Sequence, residues 1–228
     1  MAVPVLIYGK SGSGKSRSLK FFNEDEIFLV NVEGKALPFK KKFKYELKTD
    51  SVDVMINQFL KMPCKAAVID DCGYLMTHYF MSNHRNKSGS QSFEMYDSIA
   101  DILYFLVDRI KKEIPDDKII YLVFHEDVDD YGNTKLRTIG RLIDNKVVLE
   151  GMVTISIRCM SEYGRHFFLT QTEGNDITKS PEDMFSAKEI DNNLKLVDTA
   201  IREYYGIDAS IEKEKLKEGK NDVKTERI

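Results

Sequence analysis

Residues 6–22, LIYGKSGSGKSRSLKFF, hold the most specific chemical pattern in the chain. From Gly9 to Ser16 they read GKSGSGKS and fit G-x-x-x-x-G-K-[ST] at every position. The spacing has a physical reason. Gly9, Gly12 and Gly14 free the backbone to turn so that several N–H groups aim at one anion. A helix starting directly afterwards adds unpaired donors and the positive end of its dipole. Lys10, Ser11, Ser13 and Arg17 complete the loop around the phosphates. Lys15 has the reach for β- and γ-phosphate oxygens, and the Ser16 hydroxyl suits Mg²⁺. ATP and Mg²⁺ are the ligands this pattern implies.

A metal-binding acid is expected where a later strand ends. AAVIDD supplies it in Asp70, after the apolar run Ala66 to Ile69. Hydrolysis also needs a carboxylate to orient and deprotonate water. Asp71 follows Asp70 but has a short arm. Glu33, in LVNVEGK, stands at the end of the strand after the loop, where open α/β sheets assemble their sites.

Buried strands must position these groups. VPVLIYG, EIFLVNVEG, KAAVIDD and KIIYLVFHE are short apolar runs that end in glycine or a polar residue, the signature of parallel strands covered on both faces. KFKYELK alternates and suits an edge strand. MVTISIRCM and RHFFLTQT read as two later strands joined by the turn SEYG. Helical spacing is expected over residues 15–23. In SVDVMINQFLKM, Ser51 can cap a helix with Val54, Ile56, Phe59 and Leu60 inward. The clearest helix carries Met95, Ile99, Ile102, Leu103, Leu106 and Ile110 and closes at Pro115. A last one, capped by Asp191 or Asn192, has Leu194, Val197, Ile201 and Tyr204 inside and stops at Gly206. Residues 82–93, SNHRNKSGSQSF, read as a polar loop. Strands alternating with helices predict an α/β domain with a mostly parallel twisted sheet, spanning residues 1–206. The segment 207–228 is a tail. From residue 211 it carries 11 charged residues in 18, too polar to bury a core, which predicts a frayed helix or disorder.

The 228 residues bear a formal charge of −3, so no global basic field marks a nucleic-acid binder. Local patches must carry any such contact. KALPFKKKFKYELK packs six lysines, Phe39, Phe43 and Tyr45 into fourteen residues, with Lys40, Lys41 and Lys42 at its centre. It reads equally well as an edge strand guarded by lysines. Three scattered cysteines suggest reduced thiols and a cytoplasmic protein, and no apolar run is long enough for a membrane span.

The stretches LIYGKSGSGKS, VNVEG, AAVIDD, VFHED, FFLTQTEGNDITKSP and EIDNNLKLVDTAIREYYG together resemble the phage nucleotide-binding proteins of Gram-positive hosts. That group has a RecA-like P-loop core and includes single-strand annealing proteins of phage recombination. The resemblance implies that Glu33 is the catalytic base, with Asn31 where the family often has Asp. It puts His125 at a sensor position beside the γ-phosphate. It makes Lys179 the basic residue a neighbouring subunit lends to the ATP site, with Arg141 and Arg158 as further candidates. It also implies a homo-oligomer and single-stranded DNA binding through the loops that follow the metal and sensor strands. Arg85 and Lys87 lie in the first loop, Lys135 and Arg137 in the second, which opens with the acids Glu126, Asp127, Asp129 and Asp130. The expected activity is a Mg-dependent ATPase, DNA- or partner-dependent, working in recombination and annealing. A nucleotide-dependent switch or loader for a replication or packaging protein, with no DNA contact, is the alternative.

Overall fold

The computed structural model of the protein describes residues 1–85, 87–139 and 147–207. The expectations for Arg141 and for the tail beyond Ile207 lie outside the described residues. A nine-stranded sheet runs through the centre. Its strands are β1 (Val3–Gly9), β2 (Ile27–Asn31), β3 (Tyr45–Leu47), β4 (Ala66–Asp70), β5 (Ile119–Val128), β6 (Thr134–Leu136), β7 (Ile155–Glu162), β8 (Arg165–Leu169) and β9 (Glu189–Asp191). The order is β3-β2-β4-β5-β1-β7-β8-β9, and β6 pairs with the far end of β5. Strands from β3 to β7 in that order run parallel, while β8, β9 and β6 are antiparallel additions.

The apolar runs fold as two-sided strands because helices cover both faces. On one face α1 (Val52–Lys61), α2 (Tyr74–Asn83) and α3 (Ser90–Glu113) pack Ile56, Phe59, Leu75, Ile99 and Leu103 against Leu6, Tyr8, Val30, Ile69 and Leu122. On the other face a short 3-10 turn (Ser16–Phe21) and α4 (Leu194–Tyr205) bring Leu19, Leu194, Val197 and Ile201 onto Val5, Ile7, Leu29 and Val68. Alternate residues of each strand therefore feed alternate cores. The result is a mixed α/β protein with a mostly parallel sheet between helices.

Several local expectations change. The segment after the glycine-rich loop winds as six residues of 3-10 helix and stops there. Its last carbonyls, on Lys20 and Phe22, accept from the Lys41 ammonium at 2.6 and 2.5 Å, which closes the turn early. GYLMTHYFM, which has no clear periodicity, forms α2, so the loop expected over 82–93 contracts to residues between Asn83 and Ser90. In α1 the inward face is Met55, Ile56 and Phe59, leaving Val54 and Leu60 about 40% exposed. The α4 cap is Asn193, because Asp191 ends β9 and Asn192 is buried in other contacts. Tyr204 turns outward. The SEYG turn is a two-residue hairpin in which Tyr163 and Gly164 both have positive φ, the type I′ geometry that suits strand twist.

Candidate functional site

The parallel register brings four strand ends level. Gly9 pairs across the ladder with His125, and Asn31 with Asp70. The chain leaves β1 toward one face and β4 toward the other, which opens a crevice at their carboxyl ends. A cavity of about 400 Å³ occupies it, lined chiefly by the glycine-rich loop, Lys35 to Pro38, Asp70, Asp71, His125 and His166.

The loop is shaped by close contacts on one side and left-handed turns on the other. A side chain at Gly9 would place its Cβ 2.3 Å from the Cys159 carbonyl oxygen, so only glycine admits β7 this closely at the end of β1. Gly12 and Gly14 take φ of 78° and 105°. The Ser13 N–H donates to the Lys10 carbonyl at 3.2 Å, and Ser18 N–H to that of Gly14 at 3.0 Å. Ser13 Oγ is buried with no hydrogen-bond partner.

Lys15 is buried, and its ammonium donates to the Gly9 and Lys10 carbonyls at 2.8 Å each. Burial lowers its pKa from the ordinary lysine value, with Cys159 and the nearby acids opposing. The same Nζ lies 3.4 Å from His125 Nδ1, and His125 Nε2 lies 3.2 Å from Asp71 Oδ1. These contacts fit the tautomer in which Nδ1 accepts and Nε2 donates. Asp71 also pairs with Lys35, and its backbone adopts φ of 58°, which turns its side chain toward the cavity rim. Burial would raise the Asp71 pKa, but hydrogen bonds from His125 and Lys35 outweigh it and hold the carboxyl at about 2. Asp70 is the opposite case. Burial and the adjacent Asp71 push it up to about 6, against the Ser16 hydroxyl that donates to it at 3.0 Å.

Two adjacent carboxylates therefore sit in opposite charge environments a few ångströms from a lysine and a serine hydroxyl. The Ser16–Asp70 pair offers hard oxygen ligands with few protein donors, which suits Mg²⁺ completed by phosphate oxygens and water. Lys15 and Arg17 line the same cavity as cationic donors, Lys15 bonded to the Gly9 and Lys10 carbonyls and Arg17 to Asn192. The residues present fit a magnesium-bound phosphate ligand.

The other anticipated residues are placed as follows. Glu33 does not line the cavity; its carboxylate receives His78 Nε2 at 2.7 Å, and His78 Nδ1 lies 3.3 Å from Asp50. Asn31 holds that turn by donating to the Lys35 carbonyl at 2.7 Å. Lys179 lies beside β7, its N–H and C=O both bonded to Ser156, level with the middle of β1 and away from the cavity. Arg158 makes a two-pronged bond to Glu126, at 2.9 and 3.0 Å. Lys40 and Lys42 are exposed, whereas Lys41 closes the 3-10 turn. Phe43 is buried and so offers no stacking face, while Phe39, half-buried, packs edge-to-face against it. Arg85 and Lys87 lie between α2 and α3. Lys135 stands opposite Asp127 in the β5–β6 hairpin, and Arg137 follows that hairpin with its N–H on the His125 carbonyl at 2.8 Å.

Sequence reasoning missed Lys35 as a site residue, and His166 and Asn192 as supports of the loop. Lys35 follows the EG turn directly, which was a usable signal. His166 had none, because it belongs to a strand placed at the site only by folding. The fold and site together define a mixed α/β protein with a glycine-rich loop at the carboxyl edge of its mostly parallel sheet. The chain matches no family model and no curated protein. None of its described helices is long and apolar enough to cross a membrane.

Proposed function

We propose that the protein is a RecA-like P-loop ATPase that binds MgATP at residues 9–17 and acts on single-stranded DNA in phage recombination and annealing. The observation that carries the nucleotide reading is the convergence of Lys15, the Ser16–Asp70 pair and the Asp71–His125 pair on one cavity at three neighbouring strand ends. The strand order supports the RecA-like reading, since β5 stands between β1 and β4 with His125 opposite Gly9 on the cavity wall, where a sensor residue would be expected.

In this reading the loop amides and Lys15 bind the β- and γ-phosphates, Lys15 exchanging its carbonyl partners for phosphate oxygens. Ser16 and Asp70 would hold magnesium, which would neutralise charge on the phosphate oxygens. Water attacks the terminal phosphorus, gives its proton to a carboxylate, and the bridging P–O bond breaks to release ADP. Two carboxylates compete for that role. The resemblance assigns Glu33, whereas Asp71 is the one of the two that lines the cavity, where His125 and Lys35 hold its carboxylate. To take a proton, Glu33 would first have to leave His78, and Asp71 would have to release His125 or Lys35.

Nucleotide binding and turnover by the wild type, Lys15→Ala, Glu33→Gln and Asp71→Asn test this. Lys15→Ala should lose binding. Asp71→Asn should bind ATP with turnover reduced about 100-fold or more, the usual contribution of a positioned base. If Glu33→Gln has that phenotype instead, the base is Glu33. If Lys15→Ala binds as the wild type does, the nucleotide site is wrong.

A second reading, a nucleotide-dependent switch or loader for a protein partner, gains from the burial of Phe43 and the internal use of Lys41. Both weaken the lysine-rich stretch as a DNA groove. Hydrolysis stimulated by a partner and indifferent to DNA would select it.

A further inference from the structure

The glycine-rich loop is held from outside its own motif. The Ser13 carbonyl oxygen accepts from His166 Nδ1 at 2.7 Å and from the Cys159 thiol at 3.2 Å. Because a carbonyl can only accept, Nδ1 carries the hydrogen in this contact. The imidazole also packs on Gly14: a Cβ built there would meet His166 Nδ1 at 2.8 Å and Asn192 Oδ1 at 3.2 Å. Asn192 extends the clamp. Its Nδ2 donates to Cys159 Sγ at 3.2 Å, and its Oδ1 accepts from Arg17 at 3.1 Å. Burial raises the Cys159 pKa to about 11, which keeps the thiol protonated as a donor.

The peptide plane gives this contact a consequence. In a trans peptide, C=O and the next N–H point in opposite directions. Fixing the Ser13 carbonyl toward His166 therefore turns the Gly14 N–H away from β8 and toward the hollow of the loop. The φ of 105° at Gly14, strained for any other residue, becomes the conformation that the clamp selects.

We propose that His166 is a positioning residue for phosphate binding, acting through its Nδ1–H on the Ser13 carbonyl to aim the Gly14 amide at the anion. Its ligand class is a nucleoside di- or triphosphate, and the inference rests on the phosphate-site reading above. Preorganisation of this kind adds affinity by removing a conformational cost from binding.

The test uses two isosteres in the full-length chain. An asparagine amide nitrogen occupies nearly the place of Nδ1, whereas a glutamine amide nitrogen mimics Nε2. Affinity for a fluorescent ATP analogue with Mg²⁺ is measured for the wild type, His166→Asn, His166→Gln, His166→Ala and Lys15→Ala, alongside melting curves without nucleotide. His166→Ala and His166→Gln should each bind about tenfold more weakly, the loss expected when one oriented donor goes astray. His166→Asn should stay near the wild type, and the melting temperatures of the three His166 variants should stay close together. If Lys15→Ala loses binding while all His166 variants keep it, or if His166→Asn falls as far as His166→Ala, the positioning role is refuted and the phosphate site stands. If Lys15→Ala binds like the wild type, the phosphate site itself falls and takes this inference with it.

Discussion

Asp70 and Asp71 are neighbours in sequence with opposite proton affinities, and the difference lies in their partners. Asp71 accepts from two cationic or hydrogen-bearing groups, whereas Asp70 is buried with one hydroxyl. Its pKa of about 6 lies above the ordinary carboxylate value, so the folded chain keeps a proton that the unfolded chain has released between those two values. Stability must then fall as pH rises through that window, and the deficit is complete above about pH 6. Asp70→Asn removes the buried charge and keeps an acceptor for Ser16. In chelator, it should raise stability at pH 7.5 by roughly 2–3 kcal/mol, the cost of a pKa displaced by about two units. It should flatten the pH dependence between pH 4 and 6 and lose Mg-dependent nucleotide binding. Denaturant titrations at several pH values would measure this, and an unchanged slope would remove the argument. The residue types of this site could be read from the chain. Their charge states could not, because those depend on burial and on groups such as Lys35 and His125 brought in by other strands.

At the level of elements, apolar runs made the strands readable, and capping chemistry made the helices nearly so. The cap of the last helix falls two residues after Asp191 and one after Asn192, because Asn193 is the residue whose Oδ1 accepts from Lys195 N–H at 3.0 Å and Leu196 N–H at 3.3 Å. Asn193→Ala should cost about 1 kcal/mol, whereas a change at Asp191 should leave the helix unaffected. Thermal melts of the two variants would separate them. Equal effects would mean that the cap is shared. The 3-10 turn after the glycine-rich loop was harder to foresee. Its length is set by Lys41, twenty residues downstream of Phe21, which takes the carbonyls that a longer helix would have used. The same contact takes one lysine out of the basic run that suggested DNA binding.

Across the whole molecule, the segment after β8 is tied directly behind the candidate site. Thr178 Oγ1 lies 2.6 Å from the hydroxyl of Tyr8, the residue before Gly9, and Arg158 links Asp176 to Glu126, the residue after His125. The Glu126 side chain is 1% exposed, so removing its partner leaves a buried charge. Arg158→Met should therefore destabilise the protein by about 3–5 kcal/mol. Calorimetry showing a loss under about 1 kcal/mol would mean that water reaches the pair. The remaining exposed lysines give the DNA reading its own test. Lys40→Glu with Lys42→Glu should weaken binding to single strands and lessen its salt dependence if that surface follows a phosphate backbone. Unchanged binding would return those lysines to edge protection of β3.

By itself, the sequence determined an α/β protein with a phosphate-loop pattern, four buried strands and an acid at the end of one of them. These are local properties, set by which side chains recur along a few residues. The tertiary structure decided which strand ends stand level, which of Glu33 and Asp71 reaches the cavity, and that β8 reaches back to hold Ser13. Those outcomes depend on strand order and on contacts between residues more than a hundred positions apart. No local pattern encodes them, because the energy that selects them comes from burying both sheet faces at once.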